Sequence, residues 1–215
     1  MNESIEPNKK VHPLPDEKTH LEEVARLEKL VEEQRSKGRE IVAVMGLGFV
    51  GIIMAAIVAD SVDKCGKPRK FVIGLQRPSK RSYWKIPVLN KGISPIDAED
   101  PEVKDIIKRT VIEKATLTAT FSNTALSLAD IIVVDVQCDF KKPDLGKVIT
   151  GHVDMEAFKA SIKTLGQCMN PEALIVIETT VPPGTTEHVV MPIFKEEFAK
   201  RGIGSPPLVA HSYER

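Results

Sequence analysis

The sequence predicts an α/β protein built on a doubly wound parallel sheet. Three observations predict it. A short apolar run, Ile41-Val42-Ala43-Val44, leads into a glycine turn, Gly46-Leu47-Gly48-Phe49-Val50-Gly51, and then into an apolar stretch, Ile52 to Ala59, free of Gly and Pro. Two further runs, Ile131 to Val134 and Ala173 to Ile177, are apolar at every position, as strands covered on both faces are. Segments with helical spacing separate these runs, so strands and helices alternate along the chain.

Composition narrows the functional classes. The 215 residues carry 30 Lys plus Arg against 30 Asp plus Glu, so the formal net charge is zero. That balance gives no support to a nucleic-acid or polybasic membrane role. The three cysteines, Cys65, Cys138 and Cys168, form no C-x-x-C pair and no metal set. A reducing, cytoplasmic setting is the simplest expectation. The N-terminus, MNESIEPNKK, lacks the apolar core of a signal peptide. No apolar run approaches the ~18 residues of a membrane-spanning helix.

Taken in order, residues 1–15 are polar, contain Pro7, Pro13 and Pro15, and read as a flexible arm. Asp16 to Gly38 reads as a helix, with Leu21, Val24, Leu27, Leu30 and Val31 at helical spacing and Gly38 as its stop. That helix covers one edge of the core or, alternatively, forms a short intersubunit coil. Residues 1–40 are thus an arm and an amphipathic helix ahead of the domain at 41–215. Lys70 to Leu75 is the second strand of that domain. Tyr83 to Asn90 is mixed, a helix follows Asp100-Pro101, and Leu117 to Thr120 is a short strand. Asn123 to Leu128 fits a helical turn before the run at 131–134. Residues 141–153 read as a polar loop, and Asp154 caps a helix to about Cys168. After the strand ending at Ile177, Glu178 to Thr186 joins it to a helix over about 185–201, and Pro206 to Ala210 is the last strand.

The glycine turn carries the first chemical signal. Gly46, Gly48 and Gly51 have the spacing G-x-G-x-x-G between a strand and a helix, a dinucleotide-binding context. Gly46 permits the tight turn, Gly48 lets a pyrophosphate approach the backbone, and Gly51 lets the helix pack on the strand. The helix N-terminus, with Leu47, Phe49 and Val50 beside it, offers N–H groups to phosphate. An ordinary glycine turn is the alternative. The fold is accordingly Rossmann-like with an extra N-terminal helix. An acid usually ends the second strand and binds the ribose. Here the chain reads Gln76-Arg77-Pro78-Ser79-Lys80-Arg81. Gln76 bonding the ribose suits NAD, whereas Arg77 and its cationic neighbours suit the 2′-phosphate of NADP. Loops after strand C-termini carry ligands in such sheets, which marks Val136 and Gln137 as cofactor neighbours. Cys138 reads as a loop or core cysteine rather than a nucleophile.

Five segments resemble the UDP-glucose/GDP-mannose dehydrogenase family. GLGFVG at 46–51 is similar to its GLGYVG, and Leu89 to Pro95 to its L-N-x-G-x-S-P. Ala129 to Val136 is similar to its A-D-x-x-x-x-x-V strand, Glu178 to Thr186 to its E-S-T-V-P-P-G-T-T, and Ala210 to Arg215 to its Y-C-P-E-R or S-P-E-R stretch. The resemblance covers 41–215 and not residues 1–40. It implies oxidation of the C6 hydroxyl of a UDP- or GDP-sugar to a carboxylate, with two NAD reduced, for polysaccharide or glycan synthesis. It implies that Gly46, Gly48 and Gly51 hold the pyrophosphate. Thr180 matches a threonine near the nicotinamide and the reacting water; a hydroxyl at the start of a helix is its other reading. Glu214 matches a glutamate that moves a proton or positions water; a solvated chain end is its other reading. AHSYER is closer to the N-acetylhexosamine branch. Two departures stand out. The acid after the second strand is replaced by Gln76, and the family's cysteine motif, G-x-G-x-G-G-x-C, is absent together with the central and C-terminal substrate domains. Family members associate largely through the central helix, which is missing here, so the resemblance leaves a homo-oligomer open. The chain therefore reads as the NAD-binding half of such an enzyme, inactive alone. The competing readings are a β-hydroxyacid-type dehydrogenase with the same first domain and a non-catalytic dinucleotide-binding or assembly module.

Overall fold

The computed structural model describes residues 3–141 and 151–212. The N-terminal residues depart from expectation. Strands β1 (Glu3–Ile5) and β2 (Val11–Pro13) pair antiparallel, with Ser4 opposite His12. The prolines shape a hairpin rather than a loose arm. Pro7 takes the second position of a turn closed by Lys9 N–H to Glu6 O at 2.9 Å, a position that its fixed φ suits. Ser4 and His12 are both buried, and the His12 ring meets the Glu6 carboxylate at 2.5 Å.

Helix α1 (Glu17–Ser36) starts at Asp16, whose carboxylate accepts the Thr19 N–H at 2.8 Å. The chain leaves it through Gly38 at φ +72°, a left-handed turn that glycine adopts freely. The order then runs β3 (Glu40–Met45), α2 (Phe49–Asp60), β4 (Lys70–Leu75), α3 (Lys85–Leu89) and α4 (Glu102–Lys108), which continues as a wider π turn, Arg109–Glu113. Next come β5 (Leu117–Thr120), α5 (Thr124–Leu128) and β6 (Ile131–Val134). Short strands β7 (Asp139–Lys141) and β8 (His152–Asp154) pair antiparallel, so the two ends of the segment expected as a polar loop join in a small ladder. Residues 142–150 of that loop lie outside the described residues. Helix α6 (Glu156–Cys168), β9 (Leu174–Ile177), a π turn (Thr186–Val190), α7 (Met191–Lys200) and β10 (Leu208–His211) complete the order.

Six strands form one parallel sheet in the order β10-β9-β6-β3-β4-β5. The chain winds outward from β3 in one direction and returns to build the other half from β6, so the winding reverses between β3 and β6. Both faces are covered over the middle of the sheet, which is why β3, β4 and β6 are apolar at nearly every position, whereas the edge strand β10 is largely exposed. Ile41, Ala43 and Met45 of β3 point to the layer of α1, α5, α6 and α7, where Leu27, Leu126, Phe158 and Phe194 are buried. Val42 and Val44 point to the layer of α2, α3 and α4, where Ile52, Ala56, Leu89 and Ile107 are buried. Alternation with period two thus divides the β3 run between two cores.

Candidate functional site

A cleft of about 770 Å³ opens at the C-terminal ends of the strands, where the winding reverses. Gly46, Leu47, Gly48, Phe49 and Val50 line it from the glycine turn, and Gln76 and Arg77 from the end of β4. Val136 and Gln137 line it after β6, and Thr180 after β9. Ten of the sequence-derived candidates therefore share one cleft. Gly51 stands behind it, and Glu214 lies outside the described residues.

The three glycines answer different needs. Gly46 has φ +111°, and a Cβ there would stand 2.0 Å from the Asp135 carbonyl oxygen. A Cβ on Gly51 would stand 1.9 Å from the Gly46 carbonyl oxygen and 2.7 Å from Asp135 Oδ2. The protein's own packing therefore excludes side chains at both positions. Gly48 differs: its φ is −75°, and the nearest atom to a Cβ would be Asp135 Oδ2 at 3.9 Å. Nothing in the chain itself demands glycine there. Gly48 is also the N-cap of α2, and no side chain caps that helix end, so its first N–H groups face the cleft beside a bare backbone.

Leu47 anchors the turn. Its side chain is fully buried against Gly74 of β4, where a Cβ would meet Leu47 Cδ2 at 2.7 Å. Its N–H donates to Gln76 Oε1 at 3.1 Å, and its carbonyl accepts from Lys85 Nζ at 2.8 Å. The Gln76 amide nitrogen donates to Ser82 Oγ at 3.1 Å. Gln76 thus lines the cleft with its amide already engaged at both ends. An amide can do this because it carries donor and acceptor together, which a carboxylate does not.

Charge is unevenly spread along the cleft. Arg77, Arg81 and Lys85 line the end near β4; among the described residues neither arginine side chain has an ion-pair partner. Burial pushes the Lys85 ammonium below its ordinary pKa, and the nearby Arg81 charge acts in the same direction. Asp135, Asp139 and Glu178 line the end near β6 and β9. There Thr179 ties two strand ends together. Its buried hydroxyl accepts the Val136 N–H at 3.0 Å and lies 3.0 and 3.2 Å from the carbonyls of Val136 and Val134. Thr180, next in sequence, is exposed in the cleft.

The cysteines do not form a reactive centre. Burial raises the half-buried Cys138 thiol above its usual pKa, and the charges of Asp139 and Asp154 add to the shift. Burial also raises Cys168, which donates to the Thr164 carbonyl at 3.1 Å. Among the described residues no His, Cys, Asp and Glu side chains group as metal ligands, and no helix is long and apolar enough to cross a membrane. Sequence reasoning missed Lys85, Ser82, Thr179 and Asp135. Asp135 was detectable, as the first charge after the most apolar run. Lys85 and Ser82 carry no local signal, because only the fold brings them to Leu47.

A parallel sheet with this winding order, a glycine turn at the reversal and an uncapped helix N-terminus define a dinucleotide-binding α/β domain. Residues 40–212 match the NAD-binding domain of the UDP-glucose/GDP-mannose dehydrogenase family. The chain belongs to that family and carries its NAD-binding domain. It is 32% identical to an NDP-N-acetyl-D-galactosaminuronic acid dehydrogenase of Methanosarcina mazei, whose crystal structure it matches over 88% of this chain and 37% of that one with a TM-score of 0.69. It is 29% identical over 151 residues to the UDP-glucose 6-dehydrogenase TuaD of Bacillus subtilis, covering 69% of this chain and 28% of that protein. It is 27% identical over 174 residues to a UDP-N-acetyl-D-mannosamine dehydrogenase of Pyrococcus horikoshii, covering 81% of this chain and 36% of that protein. The chain thus spans about a third of the length of these relatives.

Proposed function

We propose that this chain is the cofactor-binding unit of a nucleotide-sugar 6-dehydrogenase, which oxidises the C6 hydroxyl of a UDP- or GDP-sugar to a carboxylate. The observation that carries the reading is Gly48. Of the three turn glycines it is the one that the chain's own packing does not require, so a ligand approaching the backbone accounts for it. The cradle fits a dinucleotide. Gly46, Leu47, Gly48, Phe49 and Val50 would hold the pyrophosphate through backbone N–H groups and the α2 N-terminus, with Gly51 keeping helix and turn in contact. Gln76 and Arg77 stand at the ribose end, and Val136, Gln137 and Thr180 at the other. The bound cofactor supplies the hydride acceptor.

The protein's own groups then position the reacting atoms and accept the proton that leaves the hydroxyl or water. Thr180 presents its hydroxyl to the reacting water or sugar hydroxyl, and Glu214 serves as the proton-transfer group. A UDP-N-acetylhexosamine is the preferred substrate class, supported by AHSYER at 210–215 and by the names of the Methanosarcina and Pyrococcus relatives. The product is a sugar acid of the kind used for polysaccharide assembly. We further read residues 41–215 as the dinucleotide domain and 1–40 as an appended segment. Cys65, Cys138 and Cys168 lack the sequence context of the family's thiol, so these 215 residues bind the cofactor without completing the oxidation.

Fluorescence titration of the chain with NADH and NADPH tests this. Saturable binding, lost in Gly48→Val with the fold retained, is the expected result. A folded wild-type chain that binds neither dinucleotide overturns it. Turnover of a UDP-sugar by these residues alone would refute the claim of inactivity.

A further inference from the structure

We propose that the N-terminal hairpin straps the ribose end of the cofactor cleft, with Ser4 as the positioning residue. The inference rests on the cofactor-binding reading above. Residues 3–13 precede the segment that matches the family domain, which begins at residue 40. They nevertheless reach the cleft. Ser4 is fully buried, and its hydroxyl donates to the Lys80 carbonyl at 2.9 Å while accepting the Trp84 N–H at 3.1 Å. One hydroxyl therefore clamps the loop after β4 at two points four residues apart.

What that loop carries gives the clamp its consequence. It bears Ser79, Arg81 and Ser82, which line the cleft next to Arg77. The Trp84 indole closes the loop on itself by donating to the Arg81 carbonyl at 3.0 Å. From the loop, two routes lead to the glycine turn. Ser82 Oγ accepts from Gln76, whose Oε1 holds the Leu47 N–H. Lys85, adjacent to Trp84, holds the Leu47 carbonyl. Both polar groups of the Leu47 backbone are thus held by side chains that the clamped loop supports. The hairpin is rigid enough to act this way. Its turn is closed by paired backbone hydrogen bonds between Glu6 and Lys9 or Lys10, and the His12–Glu6 contact is almost completely buried.

Where the loop sits decides how Arg77 and Arg81 face the ribose, so the strap sets discrimination between a 2′-hydroxyl and a 2′-phosphate as well as affinity. A purely structural hairpin would alter stability and leave that discrimination unchanged. The test compares wild type, Ser4→Ala, Glu6→Ala and the control Ile5→Ala, whose side chain is exposed on the same hairpin. NADH and NADPH affinities, melting temperature and tryptic cleavage after Lys80 and Arg81 are measured for each. Ser4→Ala is expected to weaken the better-bound dinucleotide about three- to tenfold, as loss of a buried hydrogen-bonded hydroxyl does. It is also expected to change the NADPH-to-NADH affinity ratio by about threefold or more and to expose the loop to trypsin. Glu6→Ala should move the ratio in the same direction, and it decides the matter if Ser4→Ala does not fold. Ile5→Ala should match wild type. A wild-type chain that binds neither cofactor removes the underlying reading. Wild-type binding with an unchanged NADPH-to-NADH ratio in folded Ser4→Ala, or in folded Glu6→Ala where Ser4→Ala does not fold, overturns the strap alone.

Discussion

Gly51 lies with its bare Cα against the Gly46 carbonyl, at a spacing where a Cβ would stand 1.9 Å from the oxygen. Two glycines five residues apart are thereby locked together, and Gly48 between them is free of that constraint. The motif separates into a structural pair and one ligand-facing member.

That separation predicts opposite outcomes for two alanine variants. Gly51→Ala forces a methyl into backbone and should destabilise by about 1–3 kcal/mol or more. Gly48→Ala should change stability by less than about 0.5 kcal/mol and weaken NADH binding at least about tenfold. Urea melts and fluorescence titrations on the same preparations check both. Equal destabilisation by the two would remove the argument from Gly48.

The threonine pair after β9 divides in the same way. Thr179→Val leaves the half-buried Val136 N–H without its partner and should cost about 1–3 kcal/mol. Thr180→Val, at an exposed cleft position, should cost less than Thr179→Val and act on cofactor or substrate handling. Chemical denaturation compared with dinucleotide titration distinguishes the two.

Asp60 predicts a pH dependence. Its carboxylate accepts Arg109 Nε and Nη2 at 2.9 and 2.8 Å and Lys114 Nζ at 2.7 Å. The Arg109 guanidinium, then Lys114, hold the Asp60 carboxyl well below the usual carboxylate range. A depressed folded-state pKa means that this stabilisation is present above the unfolded value near ~4 and fades as pH falls below it. Asp60→Asn should cost about 1 kcal/mol at pH 7, a modest figure because the cluster is partly exposed. It should cost progressively less below about pH 4. The gap in melting temperature between the two proteins should hold from pH 7 to about pH 5 and narrow toward pH 3, because loss is complete only below the depressed folded-state pKa; a gap that stays constant would contradict the assignment.

Thiol reactivity offers an independent check. The raised pKa values of Cys138 and Cys168 keep their thiolate fraction low at pH 7. Alkylation followed by mass spectrometry should label exposed Cys65 first. Labelling at the other two should accelerate as pH rises toward 9. Rapid modification of Cys138 at pH 7 would reopen it as a nucleophile.

Much of the sheet was legible because its signals are local. The runs at 70–75 and 131–134 coincide with β4 and β6, since strands covered on both faces are apolar at nearly every position, and the short threonine-rich run at 117–120 coincides with β5. The glycine turn was legible because its spacing between an apolar run and a helix is itself a local pattern, and the start of α1 because the bond from Thr19 N–H to Asp16 spans three residues. The hairpin at 3–13 was not. Its prolines resemble those of a loose arm, and the burial of Ser4 depends on a partner 76 residues away.

By itself, then, the sequence determined the alternating architecture, the cofactor motif and the family, because backbone conformation and apolar periodicity are written into neighbouring residues. Tertiary structure alone decided that Gln76 and Lys85 hold Leu47, that Thr179 braces the cleft while Thr180 faces it, and that Ser4 clamps the loop beside Arg77 and Arg81. Each of those depends on a side chain meeting a backbone group 29 to 80 residues distant, a pairing that exists only once the sheet has brought its strand ends together.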